Sequence, residues 1–167
     1  MVSALTLFGL DDMMARYASY ETLAEIIRHC FTHPRETLKG LFCRLTFNIL
    51  CGNTDDHARN HAAFWDGKSL SLTPAYDICP QSRTGNETSQ SMLIHGNNNL
   101  GHLSVCIDAA QHFQLSKSEA NALIESQKTL IESHWDSLCD EAHLSEVDRK
   151  QRWGRQFLNP YSTDYAD

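Results

Sequence analysis

The chain has 167 residues, of which 41% are hydrophobic and 21% charged, and its formal net charge is -7. That length accommodates one domain able to bury roughly two thirds of its unfolded surface, and leaves no room for a second of ordinary size. The acidic balance argues against a broad nucleic-acid-binding surface, and the apolar fraction argues against disorder.

The opening stretch "MVSALTLFGLDDMMARY" is apolar for nine residues, but no basic segment precedes them and acidic residues follow at once. Neither a signal peptide nor a membrane span fits this pattern, so a cytoplasmic protein is expected. An abrupt apolar start is also what remains when a chain has lost a segment that packed upstream. Residues 20–29 predict a helix capped by Ser19, with Leu23, Ile26 and Ile27 on one side. A second helix should begin at Pro34 and carry Leu38, Leu41, Phe42, Leu45 and Ile49 inward, with Gly52 as its stop.

"HAAFWDGKSLSLT" then gives two short strands joined at Trp65-Asp66-Gly67-Lys68, where Asp-Gly predicts a type I′ hairpin turn. Residues 81–101 are rich in Ser, Thr, Asn, Gln and Gly, with one apolar island at residues 92–94. They predict a long polar loop, of a kind that is usually functional or mobile. Helical pattern returns over about 102–158. Ser116 and Glu119 form a capping box, Leu123, Ile124, Leu130, Ile131 and Leu138 continue a stripe, and a last helix from Ser145 should turn Val147, Trp153 and Phe157 inward. The expected fold is mainly α with a small β-hairpin, one domain over residues 1–167.

Six cysteines, at 30, 43, 51, 79, 106 and 139, include no C-x-x-C pair. They predict scattered reduced thiols rather than a disulfide framework or a zinc site.

The chemistry concentrates in residues 51–80. Asp55 and Asn60 straddle a helix-to-strand loop, and Asp77 enters the same region once the hairpin returns. Two carboxylates and an amide oxygen are hard ligands that suit Mg²⁺ beside substrate phosphates. A kinase catalytic loop uses the same parts at the same spacing, D-x-x-x-x-N. Asp55 and Asn60 have that separation and Asp56 does not, so Asp55 is the candidate to orient the substrate hydroxyl. His57 would bond Asp55 or a phosphate oxygen, and Arg59 either serves the developing charge or faces solvent.

Plainer readings stand beside these. Asp and Asn are common in turns that end helices. His57 and His61, four apart, have the separation of zinc ligands on a helix, with Asp55 or Asp56 to complete a site, but there is no H-E-x-x-H and a strand is expected near His61. The basic stretch "DRKQRWGRQ", residues 148–156, would meet a partner protein, RNA or DNA, or simply be a solvated helix face. Trp135 and Trp153 are expected in the core rather than as platforms for bases.

"GNTDDHARNHA" followed by "LTPAYDICP" resembles the C-terminal kinase core of the HipA family of toxin serine/threonine kinases: the family's D-x-H-x-x-N loop matches at Asp55, His57 and Asn60, and its L-T-P-x-Y-D segment at Leu72 through Asp77. The resemblance implies a protein-kinase-like C-lobe in which Asp55 and His57 belong to the catalytic loop, Asn60 and Asp77 hold Mg²⁺ against ATP, and Tyr76 and Pro74 shape the metal loop. It further implies phosphorylation of a serine on a protein, an aminoacyl-tRNA synthetase in the best-known members, and a HipB-like antitoxin as partner. The family's N-lobe elements are absent from this sequence: no Gly-rich loop precedes a strand, and Lys39 is the one lysine ahead of the cluster. A lobe that is weak or inactive by itself, or completed by a separately encoded N-lobe, is expected. A catalytically degenerate module that binds an antitoxin or other protein is the second reading, and metal-dependent hydrolysis the third.

Overall fold

The structure is a computed structural model and describes residues 1–82 and 85–164. About half of it is helical, with one small antiparallel sheet, as a mainly α fold with a hairpin requires. Residues 83 and 84 of the predicted polar loop, and 165–167 of the predicted domain, lie outside the described residues.

The chain begins with β1 (Val2–Ser3) and a single turn of helix, α1 (Ala4–Leu7), whose Ser3 side chain accepts the Thr6 N–H. The first long helix, α2 (Tyr20–Cys30), starts where Ser19 accepts the Thr22 N–H at 3.0 Å and turns Tyr20, Leu23, Ala24 and Ile27 into the core. Pro34 opens α3 (Pro34–Leu50), for its fixed φ and missing N–H suit a first helical position. Leu38, Leu41, Phe42, Leu45, Ile49 and Leu50 are all buried, and so are Thr46 and Asn48, so α3 is covered on more than one face and forms the centre of the molecule. Phe42 meets Phe113 edge to face at 5.3 Å. Gly52 ends α3 at φ +72°, and a Cβ there would stand 2.6 Å from the main-chain oxygen of Gln156. Both the backbone angle and the space demand glycine.

The hairpin is β2 (Ala62–Trp65) and β3 (Leu70–Leu72), with Ala63 opposite Leu72 and Trp65 opposite Leu70. Its turn differs from the expected type I′. The loop is four residues long, and the Asp66 carboxylate accepts the N–H groups of Lys68 and Ser69 at 2.8 Å each, leaving only Gly67, at φ +99°, in the left-handed region. A type I′ turn needs two such residues in succession; the local side-chain bonds stabilise a wider loop instead. Those same N–H groups hold the Asp66 carboxyl below its ordinary value. β1 adds a third strand, pairing Val2 with Ala63 and Ser3 with Ala62, so the apolar opening segment lies on the sheet and sends Ala4 and Leu5 into the core.

The polar segment after the hairpin is anchored where its apolar island lies. Met92 and Ile94 are fully buried, and Leu93 bridges to Ser19, with its N–H on the Ala18 carbonyl and its carbonyl on the Tyr20 N–H. The chain continues through α4 (Leu103–Ala109), a 3₁₀ turn (Ala110–Phe113) and α5 (Lys117–Glu141), which begins with the expected Ser116–Glu119 capping box. α6 (Glu146–Arg152) and α7 (Pro160–Thr163) close the described chain.

Four inward expectations fail here, those for Val147, Leu138, Leu130 and Trp153. Val147 is 64% exposed, Leu138 57% and Leu130 55%. At 25 residues, α5 outreaches the core: in its second half Ile131 still packs against the core and Cys139 is buried, but Leu130 and Leu138 are left exposed. Trp135, Trp153 and Phe157 gather there at the periphery, at 4.9 and 5.0 Å, with Trp153 still 37% exposed. In the basic stretch, Arg149 bonds Asp140 and the Leu144 carbonyl, and Arg152 bonds Gln156, so two of its cations are used within the fold. Among the described residues, no helix is long and apolar enough to cross a membrane.

Candidate functional site

Between Gly52 and β2 the chain is held by its own amides. Asn53 reaches back to the Asn48 side chain at 3.1 Å, the His57 N–H donates to the Asp55 carbonyl at 3.0 Å, and the Asn60 side-chain amide donates to the same carbonyl at 3.1 Å. A short 3₁₀ turn, Ala58–Asn60, follows. These bonds bend the loop so that Asp55 is exposed while Asp56, one residue on, is buried.

The segment that carries Asp77 is fastened to this loop at two points. The Tyr76 hydroxyl donates to the Arg59 carbonyl at 2.5 Å, and the Asn53 amide lies 3.5 Å from the Asp77 carbonyl oxygen. Beneath them, Arg44 of α3 donates to the Thr73 carbonyl. Burial lowers the Arg44 pKa, opposed by nearby Tyr20, Asp56 and Tyr76. Asp77 is exposed and has a φ of +57°, in the left-handed region that aspartate enters more readily than most side chains but still at a cost.

Each residue singled out from the sequence can now be placed. Asp55 and Asp77 are exposed carboxylates on two segments joined by hydrogen bonds. Asn60 is buried, with its nitrogen on the Asp55 carbonyl, and among the described residues nothing donates to its Oδ1. The His57 imidazole makes no bond to the Asp55 carboxylate; its Nδ1 is buried without a partner among the described residues. Arg59 is exposed and pairs with Asp12. His61 does not face His57 as a second metal ligand would on a helix, because β2 begins directly after it and it turns into the core.

What sequence reasoning missed is the network around Asp56. This carboxylate, 2% exposed, accepts the Tyr20 hydroxyl on one oxygen and lies 3.0 Å from His61 Nε2 on the other. Burial alone would raise the Asp56 carboxyl, but the bonds from His61, Tyr20 and Asn48 hold it below its ordinary value. Burial, then the Asp56 charge, pushes the Tyr20 hydroxyl well above its own. The result is an ionised carboxylate with neutral Tyr20 as its donor, a pairing that ties the loop to α2 and α3. The one local signal was the doubled aspartate: a second acid beside a functional one needs a partner if it is buried.

The chain matches the sequence profile described as the HipA-like C-terminal domain over residues 1–135, a span that includes both motif segments. No curated protein sequence matches it significantly. The match covers most of the chain, which therefore belongs to the HipA-like C-terminal domain family, with the toxin–antitoxin context that the family carries.

Proposed function

We propose that this chain is the kinase-like C-lobe of a HipA-like serine/threonine protein kinase, transferring the γ-phosphoryl group of ATP to a serine hydroxyl of a protein. The observation that carries the reading is the fastening of the Asp77 segment to the Asp55–Asn60 loop through Tyr76–Arg59 and Asp77–Asn53, inside the span that matches the family.

In the transfer, the serine oxygen bonds to the γ-phosphorus, the bond from that phosphorus to the β,γ-bridging oxygen breaks, ADP leaves, and the hydroxyl proton passes to Asp55. Asp55 stands on an exposed loop where a protein hydroxyl can approach, and its value lies in orienting that hydroxyl. The Asp77 carboxylate and the Asn60 Oδ1 are hard oxygen donors without protein partners among the described residues, a donor set that fits Mg²⁺. Bound there, Mg²⁺ would neutralise charge on the β- and γ-phosphate oxygens. Arg59 would leave Asp12, an exposed pair worth about 1 kcal/mol or less, to reach a phosphate.

The protein acceptor, a HipB-like antitoxin and a cytoplasmic setting go with this reading. So does low activity in isolation, because these 167 residues contain no Gly-rich phosphate loop and their one lysine ahead of Asp55, Lys39, sits in α3. Adenine and phosphate contacts would come from a further segment or a separate polypeptide. Isothermal titration of the chain with Mg-ATP tests the proposal: binding supports it, while no heat at millimolar nucleotide supports an interaction module without catalysis.

A further inference from the structure

Away from the motif loops, three side chains from distant parts of the sequence converge. Glu21 is the second residue of α2, His95 begins the turn at residues 95–98, and His112 lies in the 3₁₀ turn after α4. Glu21 Oε1 is 2.7 Å from His95 Nδ1 and 3.2 Å from His112 Nε2, and one ligand atom from each residue falls within 4.8 Å of the other two. The imidazole planes are inclined at 51° with centroids 5.7 Å apart, so the rings are not stacked and their nitrogens can face a common point. We propose that Glu21, His95 and His112 form a binding site for a zinc-class divalent cation.

The chemistry of the donors favours this. Two imidazole nitrogens and one carboxylate oxygen are a three-ligand zinc set that leaves a fourth position for water or an added ligand. The side chains are 25% (Glu21), 42% (His95) and 31% (His112) exposed, so the site is walled by protein on one side and open to solvent on the other. The surroundings fix the ligands in place: the Gly96 N–H donates to Glu21 Oε1 at 3.1 Å, and Arg28 donates to the His112 carbonyl at 3.3 Å. Burial would raise the Glu21 carboxyl, but the bonds from His95 and Gly96 and the adjacent imidazoles hold it below its ordinary value, in the anionic form a cation needs. In the metal-free protein, imidazole N–H groups would occupy the place of the cation; binding displaces those protons, because a ligating nitrogen must offer its lone pair.

Such a site would clip the segment around residue 95 to α2 and to the turn before α5. Two residues before His95, Leu93 pairs with the backbone at 18–20, and Ser91 donates to the carbonyl of Thr54, next to Asp55. Tyr20, beside Glu21, holds Asp56. Occupancy would therefore steady the loop that carries Asp55, whatever reaction that loop serves, and the inference does not depend on the kinase reading.

The test is titration of EDTA-treated full chain with Zn²⁺ by calorimetry and with Co²⁺ by visible absorption, in wild type, His95→Asn, His112→Asn and Glu21→Gln, each checked for folding by circular dichroism. The expected result is one equivalent bound by wild type, tetrahedral Co²⁺ bands, and a loss of at least about tenfold in affinity in each variant, since even residues that only support ligands act on that scale. Six free cysteines and the remaining histidines could also take up zinc, and the variants separate this: equal affinity in wild type and all three variants overturns the site. Absence of any binding by wild type overturns it too. If one histidine variant does not fold, Glu21→Gln, which keeps a hydrogen-bond acceptor at that position, carries the comparison.

Discussion

The Tyr76 hydroxyl donates a 2.5 Å hydrogen bond to the main-chain carbonyl oxygen of Arg59, joining residues 17 positions apart and, with them, the two segments on which the functional reading rests. Burial holds this hydroxyl above its ordinary pKa despite nearby Arg44, so it remains a donor at neutral pH. Tyr76→Phe removes the bond and keeps the ring. It should cost about 1 kcal/mol or less, read as a lower urea midpoint at unchanged slope, and should weaken Mg-ATP binding by more than it weakens the fold. Loss of stability with unaltered nucleotide affinity would show that the tie is only structural.

Asp77 separates backbone from side chain. At φ +57° a residue with a Cβ carries strain, so Asp77→Gly should match or exceed wild type in thermal stability, while Asp77→Val should lose about 1–2 kcal/mol or more. Both should abolish the Mg²⁺-dependent part of nucleotide binding. A destabilised glycine variant would mean that the carboxylate itself holds the loop.

Gly52→Ala tests the close approach at the end of α3. With Gln156 backbone only 2.6 Å from the new Cβ and a left-handed backbone, the loop or the 156–158 segment must shift. We expect a loss of about 2 kcal/mol or more in denaturant unfolding. A cost of a few tenths would show that the two segments part easily.

The Asp56 network sets a pH window. Its carboxyl is depressed in the folded state, so its contribution to stability is present above the ordinary carboxylate pKa of about 4 and is lost as pH falls through the lower folded value. The Tyr20 hydroxyl is raised, so its contribution is present below about pH 10 and is lost as pH rises through the higher folded value. Asp56→Ala, which strands Tyr20 and His61 in the core, should cost about 3 kcal/mol or more at neutral pH. Asp56→Asn should flatten the acid limb of the stability curve. An unchanged acid limb would place the titrating group elsewhere.

The long helices were legible because their signals are local. Ser19 and Ser116 cap as their types predict, Pro34 opens α3, and every residue of the α3 stripe is buried. The hairpin was legible in place but not in turn type, since the competition between a type I′ turn and the Asp66 side-chain bonds is a matter of geometry. β1 left no signature, because a two-residue strand has no periodicity and its partner lies some sixty residues away. The exposure of Leu130, Leu138 and Val147 was illegible for another reason: spacing shows which face of a helix is apolar, not how far the core extends beneath it. At the site, the spacing of Asp55 and Asn60 could be read directly. The burial of Asp56 could not, because its partner Tyr20 is 36 residues distant.

The most direct test of the central claim compares Mg-ATP titrations of wild type and Asp77→Asn, each with and without EDTA. The account predicts that wild type binds nucleotide more tightly with Mg²⁺ than with EDTA, and that Asp77→Asn, folded as wild type, loses that difference. Equal affinity in the two proteins under both conditions would contradict it.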